Sequence, residues 1–169
     1  MNTSGTSQNF HEELVALLPR LRRFARNLTR NPHDADDMVQ IAIERAITRT
    51  DQRQPDARLD GWMFKIVRNA WIDEMRSRGR RNKIFAPEEA GERIGSEAIQ
   101  QEVTLMSVQA AMLRLPEEQR MAVSLVLIEG LSYKEAAEIL EVPIGTLTSR
   151  LARGRETLQV ILGGEGEIK

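Results

Sequence analysis

Apolar residues recur at helical spacing along most of the chain, and no stretch shows the alternation typical of a strand. From Glu12 to Arg30, leucine, phenylalanine and alanine repeat at i, i+3, i+4 and i+7, which predicts an amphipathic helix ended by Asn31-Pro32. Similar patterns predict a helix from Asp34 to about Thr48 and another from Asp60 to about Arg78-Gly79, each capped by its aspartate. The predicted fold class is all-α.

A change in composition divides the chain into two helical modules. Between about Lys83 and Glu102 the periodicity is weak, and glycine, proline and glutamate predict a flexible acidic linker. Two helices follow, roughly Val103 to Leu115 and Glu117 to Glu129, separated by Pro116. The predicted divisions are a disordered tail (1–10), a first helical module (11–82), the linker (83–104), a second module (105–163) and a C-terminal tail (164–169).

The segment 130–155 has the pattern of a helix-turn-helix. Gly130 ends the preceding helix, and Ser132 with Glu135 three residues later forms a capping box that begins the next one. A short turn at 141–143 leads into a second helix with leucines on one side and short hydroxyls and arginines on the other. Because such a helix suits the major groove, the pattern predicts DNA binding.

The net charge of −1 conceals a strong segregation of charge. Basic residues, nearly all arginine, gather at 20–30, 76–83 and 150–155, while acidic residues gather elsewhere. Arginine matches the geometry of phosphate. One such cluster alone is better interpreted as a solvated helix face. Three clusters, one of them on a helix-turn-helix, favour a nucleic-acid partner.

Composition also limits the kinds of site and activity that we expect of the chain. The chain has no cysteine and two histidines on different segments, so we expect no disulfide, no metal site, no cofactor and no cysteine nucleophile. The first nine residues lack the basic start and apolar core of a signal peptide, and no apolar run is long enough to cross a bilayer. We expect a cytoplasmic protein without membrane insertion, and no constellation of nucleophile, base and orienting group indicates an enzyme.

Four motifs resemble those of one family. Residues 34–40, Asp-Ala-Asp-Asp-Met-Val-Gln, resemble its Asp-Ala-Glu-Asp-Leu-Val-Gln motif, and residues 59–73 are similar to its Trp-Leu-Phe-x-Ile-x-Arg-Asn-x-x-x-Asp signature. Leu-Pro-Glu-Glu-Gln-Arg at 115–120 and Gly-Thr-x-x-Ser-Arg at 145–150 are similar to its C-terminal module. The family is the extracytoplasmic-function (ECF) class of bacterial RNA polymerase sigma factors, and the resemblance covers nearly the whole chain.

The resemblance implies core RNA polymerase as a partner, bound through the β′ clamp coiled coil and the β flap. The first module, region 2, would dock on the clamp through four residues of the second helix: Asp36, Asp37, Val39 and Gln40. From the residues alone, Asp34, Asp36 and Asp37 have an alternative explanation as acids at a helix start, and we interpret Asp34 in that way. A Mg²⁺ site is a further alternative, but the sequence supplies neither a phosphate nor a pocket for it.

The resemblance also implies promoter DNA as a partner. For melting and reading the −10 element, the implied residues are Asn69, Arg76, Arg78, Arg80 and Arg81. Trp62 and Trp71 are interpreted as core residues, with base stacking as the alternative, and Phe64 is left undecided. For the −35 element, the implied residues of region 4 are Ser132, Tyr133, Lys134, Thr146, Thr148, Ser149, Arg150 and Arg153.

Two residues depart from the family pattern. Glu141 stands where glycine is common in the turn, and a left-handed backbone there would cost about 1 kcal/mol. Thr148 stands where lysine is common, which removes one cation from the DNA face. Thr146 and Ser149 also have a simpler interpretation as capping or surface residues. These features leave the −35 sequence preference open.

The leading hypothesis is thus a dissociable specificity subunit of RNA polymerase. A stand-alone helix-turn-helix regulator would leave the region 2 motifs unexplained, and a mimic that only sequesters an inhibitor would not need its arginines and Asn69. The resemblance further implies an anti-sigma factor as inhibitory partner. We expect the two modules to be loosely arranged in the free chain, so that they can close around it.

Overall fold

A computed structural model of the protein describes residues 3–84 and 108–163, and every regular element in these two ranges is helical. The elements in chain order are α1 (Thr3–Leu28), α2 (Pro32–Thr48), a 3₁₀ turn (Thr50–Gln52), α3 (Leu59–Ile84), α4 (Val108–Met112), α5 (Glu117–Val123), a π-helical turn (Ser124–Ile128), α6 (Tyr133–Leu140) and α7 (Ile144–Leu162). The all-α prediction is confirmed.

The apolar stripes of α1, α2 and α3 face one another and form the core of the N-terminal module. Phe24 and Phe64 meet edge to face at its centre, with ring centroids 5.3 Å apart. Phe64 is fully buried and Trp71 nearly so, which places both in the core, while Trp62 is half-buried against it. Burying these rings supplies much of the hydrophobic stabilisation of the module.

Several helix ends of the first module differ from those predicted. Helix α1 begins at Thr3, so the described part of the predicted 1–10 tail is helical. Asn31 caps α2, accepting a hydrogen bond from His33 N at 2.8 Å, because Pro32 at the first helical position fixes the start two residues before Asp34. Asp60 lies inside the first turn of α3, whose end is Ile84 rather than Arg78-Gly79.

The C-terminal module is built from α4 to α7. Its core contains Met112, Leu125, Leu147 and other apolar residues of all four helices. The predicted helix ending at Glu129 is interrupted, since α5 changes at Ser124–Ile128 into a π-helical turn in which Glu129 N donates to Ser124 O. Residues 85–104 of the predicted linker, residues 105–107 of the predicted second module and the tail at 164–169 lie outside the described residues.

The two modules pack directly on each other, contrary to the expectation of a loose arrangement. Helix α1 contacts α4, α5 and the π-helical turn, and α3 contacts α6. Asn27 and Ser124, both buried, are joined by a 3.3 Å hydrogen bond across the boundary. Arg120 donates to Leu28 O at 3.3 Å, and burial lowers the pKa of its guanidinium. The core is therefore continuous between the modules.

Candidate nucleic-acid interface

The helix-turn-helix begins with the predicted capping box. Glu135 N donates to Ser132 Oγ at 3.1 Å, and Ser132 N donates to Glu135 Oε2 at 3.3 Å. Ser132 is therefore the N-cap of α6. Tyr133 and Lys134, the next two residues, are exposed at that helix start.

The turn between α6 and α7 depends on one strained residue. Glu141 has φ 55° and ψ 45°, so it occupies the left-handed conformation that the sequence raised as a possibility. Val142 N then donates to Ala137 O at 3.1 Å, which satisfies a carbonyl at the end of α6. A glutamate pays a steric cost here that glycine would not.

Helix α7 presents one continuous polar face. Leu147, Leu151 and Gly154 are buried against the module. Beside this buried face, the residues at i, i+3, i+4 and i+7 are Thr146, Ser149, Arg150 and Arg153. The structure thus brings together four of the predicted −35 residues on one stripe of a single helix.

Thr148 does not share that stripe. Its position on α7 is about 100° from Ser149 and further from Arg150, and its Oγ1 donates to Ile144 O at 2.9 Å. Within the stripe, Arg150 is half-buried and lies 3.5 Å from Glu118, whereas Arg153 is exposed and makes no ion pair within the described residues. Of these two arginines, Arg153 therefore has the freer guanidinium.

Gly154 is a residue whose role the sequence pattern did not reveal. A Cβ at this position would lie 2.6 Å from Val123 Cγ2 and 3.4 Å from Gln119 O. Only glycine therefore allows α7 to approach α5 this closely. Its place on the buried side of α7, in line with Leu147 and Leu151, was the one available signal.

On α3, Asn69 is half-buried and held by its neighbour. Arg68 Nη1 donates to Asn69 Oδ1 at 3.2 Å, and Arg68 Nη2 donates to Leu140 O at 3.3 Å in the other module. Arg68 was not among the predicted site residues, although it directly precedes Asn69. It orients the amide that was predicted to contact a base.

The arginines at the end of α3 differ in whether they form ion pairs. Arg78 bonds Asp34 at 2.7 Å and Glu74 at 3.0 Å, and the hydrogen bond to Asp34 raises the pKa of its guanidinium despite partial burial. Arg81 lies 3.3 Å from Glu74. Arg76 and Arg80 are exposed and have no ion pair within the described ranges. Arg78 thus joins α3 to the start of α2, and Arg76 and Arg80 present free charge.

The predicted polymerase-binding residues lie on α2, with one exception. Asp36, Asp37 and Gln40 are exposed on its outer side. Val39 is only 3% exposed and packs in the core of the module, unlike the other three predicted residues. It faces inward because it continues the apolar stripe of α2. Exposed Ile41, which the sequence analysis did not select, lies next to Gln40.

A cleft of about 840 Å³ lies between α3 and the start of α6. Asn69, Trp62 and Lys65 line it from α3, and Ser132 and Lys134 line it from the start of α6. The docked arrangement therefore places predicted −10 and −35 residues on opposite walls of one narrow opening.

Comparison with known proteins shows which protein family each module matches. The family model of sigma-70 region 2 matches residues 14–81, and that of sigma-70 region 4 matches residues 105–158. The ECF RNA polymerase sigma factor EcfG of Rhodopseudomonas palustris (strain TIE-1) is 34% identical over 161 residues, covering 95% of this chain and 88% of the relative. SigM of Mycobacterium tuberculosis (strain H37Rv) is 38% identical over 143 residues, covering 85% and 71%.

A solved structure shares the whole arrangement. The sigma factor RpoE of Bartonella quintana, in complex with the anti-sigma factor NepR, superposes with a TM-score of 0.78 at 30% identity, covering 94% of this chain and 99% of that one. The fold and its two matched regions define a sigma-70-type transcription initiation protein. The chain belongs to the ECF family of RNA polymerase sigma factors, which are non-catalytic subunits for promoter-specific initiation.

Two further findings concern membrane-spanning helices and metal-binding groups. No helix among the described residues is long and apolar enough to cross a membrane. The same residues hold no group of three or more histidine or acidic side chains arranged to bind a metal ion.

Proposed function

We propose that the chain reads the −35 element through α7 and the −10 element through α3 while bound to core RNA polymerase. The polar stripe of α7, with Arg153 exposed and unpaired within the described residues, is the observation that carries this proposal. Thr146 and Ser149 are short enough to let the helix approach base edges, and Lys134 at the start of α6 adds a cation for the phosphate backbone.

The −10 function falls to the middle and end of α3. Asn69, oriented by Arg68, offers an amide to a base edge, and exposed Arg76 and Arg80 hold the freed strand. Arg78 is left out of this set because Asp34 and Glu74 engage its guanidinium. Trp71 is left out because it is buried.

The outer side of α2 supplies the surface for polymerase. Asp36, Asp37 and Gln40 offer charge and hydrogen bonding, and Ile41 beside them adds an exposed apolar side chain. Such a mixture of an apolar contact and a polar rim suits a protein interface. We assign this surface to the β′ clamp coiled coil, and the β flap to region 4.

The experiment is transcription with purified core polymerase on promoters from the host genome. Promoter-specific transcripts that require this chain support the proposal, and repression or activation without incorporation into polymerase would favour the stand-alone regulator. Arg153→Ala tests the −35 assignment. A base contact predicts a loss of about 1–3 kcal/mol confined to certain sequences. A phosphate contact predicts a uniform loss and a salt slope reduced by about one.

The expectation of an anti-sigma factor as inhibitory partner is supported by a separate observation. The similar RpoE structure is a complex with the anti-sigma factor NepR. We propose a one-to-one complex of this chain with such a protein, in competition with core polymerase. Copurification from the native host followed by mass spectrometry tests it, and recovery of polymerase alone at every growth condition would contradict it.

A further inference from the structure

The arginine cluster at 20–30 has no role in the −10 and −35 contacts proposed for the chain. Its members are Arg20, Arg22, Arg23, Arg26 and Arg30. No aspartate or glutamate occurs from residue 14 to residue 30. A solvated helix face is usually stabilised by opposite charges one turn apart, and this sequence offers none. The cluster therefore needs another explanation, which depends on where each arginine lies.

Two of the five arginines are neutralised by one carboxylate of region 4. Glu129 follows the π-helical turn, and its side chain is 0% exposed. Arg23 Nε donates to Glu129 Oε1 at 2.7 Å, and Arg20 Nε donates to Glu129 Oε2 at 3.2 Å. The hydrogen bond to Glu129 raises the pKa of the Arg23 guanidinium. These two arginines therefore have a structural role, because they join α1 to region 4.

The other three arginines form a basic stripe, Arg22, Arg26 and Arg30, at intervals of four residues. Arg22 and Arg26 lie on the same side of α1, one turn apart. Helical hydrogen bonding continues to Thr29, whose N donates to Ala25 O at 3.0 Å, and Arg30 follows directly. All three arginines are exposed, and none forms an ion pair or a side-chain hydrogen bond within the described residues.

The positive charge continues from the end of α1 onto region 4. Arg120 donates to Leu115 O at 2.9 Å and to Leu28 O at 3.3 Å, so its guanidinium lies between the two modules. Burial lowers the pKa of Arg120, and the positive charge of nearby Arg30 lowers it further. Arg114, directly before Leu115, is exposed and forms no ion pair with any residue that the structure describes.

Free charges of one sign in this arrangement favour a bound anion. Like charges one turn apart destabilise a helix. The dipole of α1 favours a cation in its last turn, which explains Arg26 but not Arg22, one turn earlier. A bound anion would remove the repulsion between the two guanidinium groups.

The spacing of the stripe suits the phosphates of a DNA strand. Four helical residues rise by about 6 Å, and each strand of a duplex carries one phosphate per roughly 3.4 Å of axis. Arg22 and Arg26 thus match every second phosphate of one strand. A guanidinium donates two parallel hydrogen bonds to a phosphate, which a lysine does not. Contacts of this kind position a duplex without reading its sequence.

We propose that Arg22, Arg26 and Arg30 bind the phosphate backbone of duplex DNA, as a surface separate from the −10 and −35 residues. Arg114 extends this surface onto region 4. The surface adds affinity for DNA of any sequence and leaves specificity to the other two sites.

Fluorescence anisotropy of the whole chain with a mixed-sequence duplex, measured over a series of salt concentrations, tests this surface. Each phosphate contact contributes about 0.9 to the slope of log affinity against log salt. We expect Arg26→Gln to reduce the slope by about 0.9, and Arg22→Gln, Arg26→Gln and Arg30→Gln combined to reduce it by about 2–3. Arg49→Gln, which removes one exposed arginine just after α2, is the matched control and should leave the slope unchanged.

A second set of variants separates charge from structure. Lysine at the same three positions should keep the slope, because an ammonium also binds a phosphate as a point charge. Circular dichroism should show unchanged helix content in every variant, since these side chains make no contacts that hold the fold. A lysine variant that loses the slope as the glutamine variant does would contradict the proposal.

Two other results would overturn the proposal. An unchanged slope in the triple glutamine variant would remove DNA as the ligand, and an acidic protein that copurifies with the wild type but not with this variant would then own the stripe. An equal reduction in Arg49→Gln would show an effect of net charge alone. The duplex carries no selected sequence, so failure of the chain to direct transcription with core polymerase would refute the proposed function and leave this result standing.

Discussion

At the scale of single residues, two aspartates form ion pairs that their positions in the sequence did not predict. Asp34 was predicted as a helix cap, and it instead pairs with Arg78 across the α2–α3 contact. Asp60 was predicted as a cap, and it instead accepts from Gly61 N at 2.7 Å and pairs with Arg58 at 2.9 Å. Both aspartates lie in a first helical turn, where the helix dipole also favours them.

Glu141 gives a prediction about local strain. Glu141→Gly should raise the free energy of unfolding by about 1 kcal/mol, because glycine adopts φ 55° without a steric penalty. The lost ion pairs are long and exposed, so they offset little of the gain. Urea denaturation measures the change. Glu141→Gln, which keeps the strain and removes the charge, is the control, and an equal gain in that variant would contradict the strain argument.

Substitutions of Arg78 and Arg80 should have different effects, the first on stability and the second on DNA strand opening. Arg78→Ala breaks the bonds to Asp34 and Glu74 and should lower the free energy of unfolding by about 1 kcal/mol. Arg80→Ala, two residues away and exposed, should leave stability unchanged and weaken strand opening. Thermal unfolding and permanganate footprinting of holoenzyme on promoter DNA measure the two effects. A stability loss in the Arg80 variant equal to that in the Arg78 variant would remove the distinction.

At the scale of elements, the periodic pattern predicted the helices well because their apolar stripes are local. The inner faces of α1, α2 and α3 and the capping box of α6 follow directly from residue spacing. Helix ends were less predictable, because they depend on tertiary contacts. Helix α3 continues past Gly79, where the bonds of Arg78 to Glu74 and Asp34 offset part of the glycine penalty of about 1 kcal/mol.

The π-helical turn shows a different limit of sequence reasoning. The stretch from Ser124 to Ile128 is continuous with α5 in its apolar pattern, so it was predicted as ordinary helix. The wider turn directs Glu129 toward α1, and that contact joins residues 106 positions apart in the chain. A local pattern carries no information about a partner so distant. The spacing placed Thr146, Ser149, Arg150 and Arg153 on one face of α7, but it did not show how these side chains pair with their neighbours.

The crossing of α5 and α7 gives the prediction at this scale. Gly154→Ala should lower the free energy of unfolding by about 1–3 kcal/mol, because the new Cβ would meet Val123 Cγ2 at 2.6 Å in a packed core. The better helix propensity of alanine recovers only part of this cost. Gly145→Ala, where nothing lies within 4 Å, is the control. Calorimetry compares the two, and an equal or smaller loss in the Gly154 variant would show that the crossing can relax.

At the scale of the whole molecule, the two modules share more than an ion pair. Buried Asn27 and Ser124 are bonded across the boundary, and Arg120 of region 4 bonds a backbone oxygen of α1. Breaking such contacts leaves buried polar groups without partners until water reaches them. The modules are therefore energetically coupled in the free chain, although two family models match them separately.

This coupling leads to a prediction about cooperativity. The wild-type chain should unfold in a single transition, because separating the modules exposes the Glu129 carboxylate and its two arginines together. In Glu129→Ala the docking contacts are weakened, and each module should then unfold at its own midpoint. Circular dichroism follows all helices, while fluorescence of Trp62 and Trp71, both in region 2, follows that module alone. Coincident curves for the wild type and separated curves for the variant are expected. Separated curves already in the wild type would show that the modules are independent and that the buried contacts between them contribute too little to couple their unfolding.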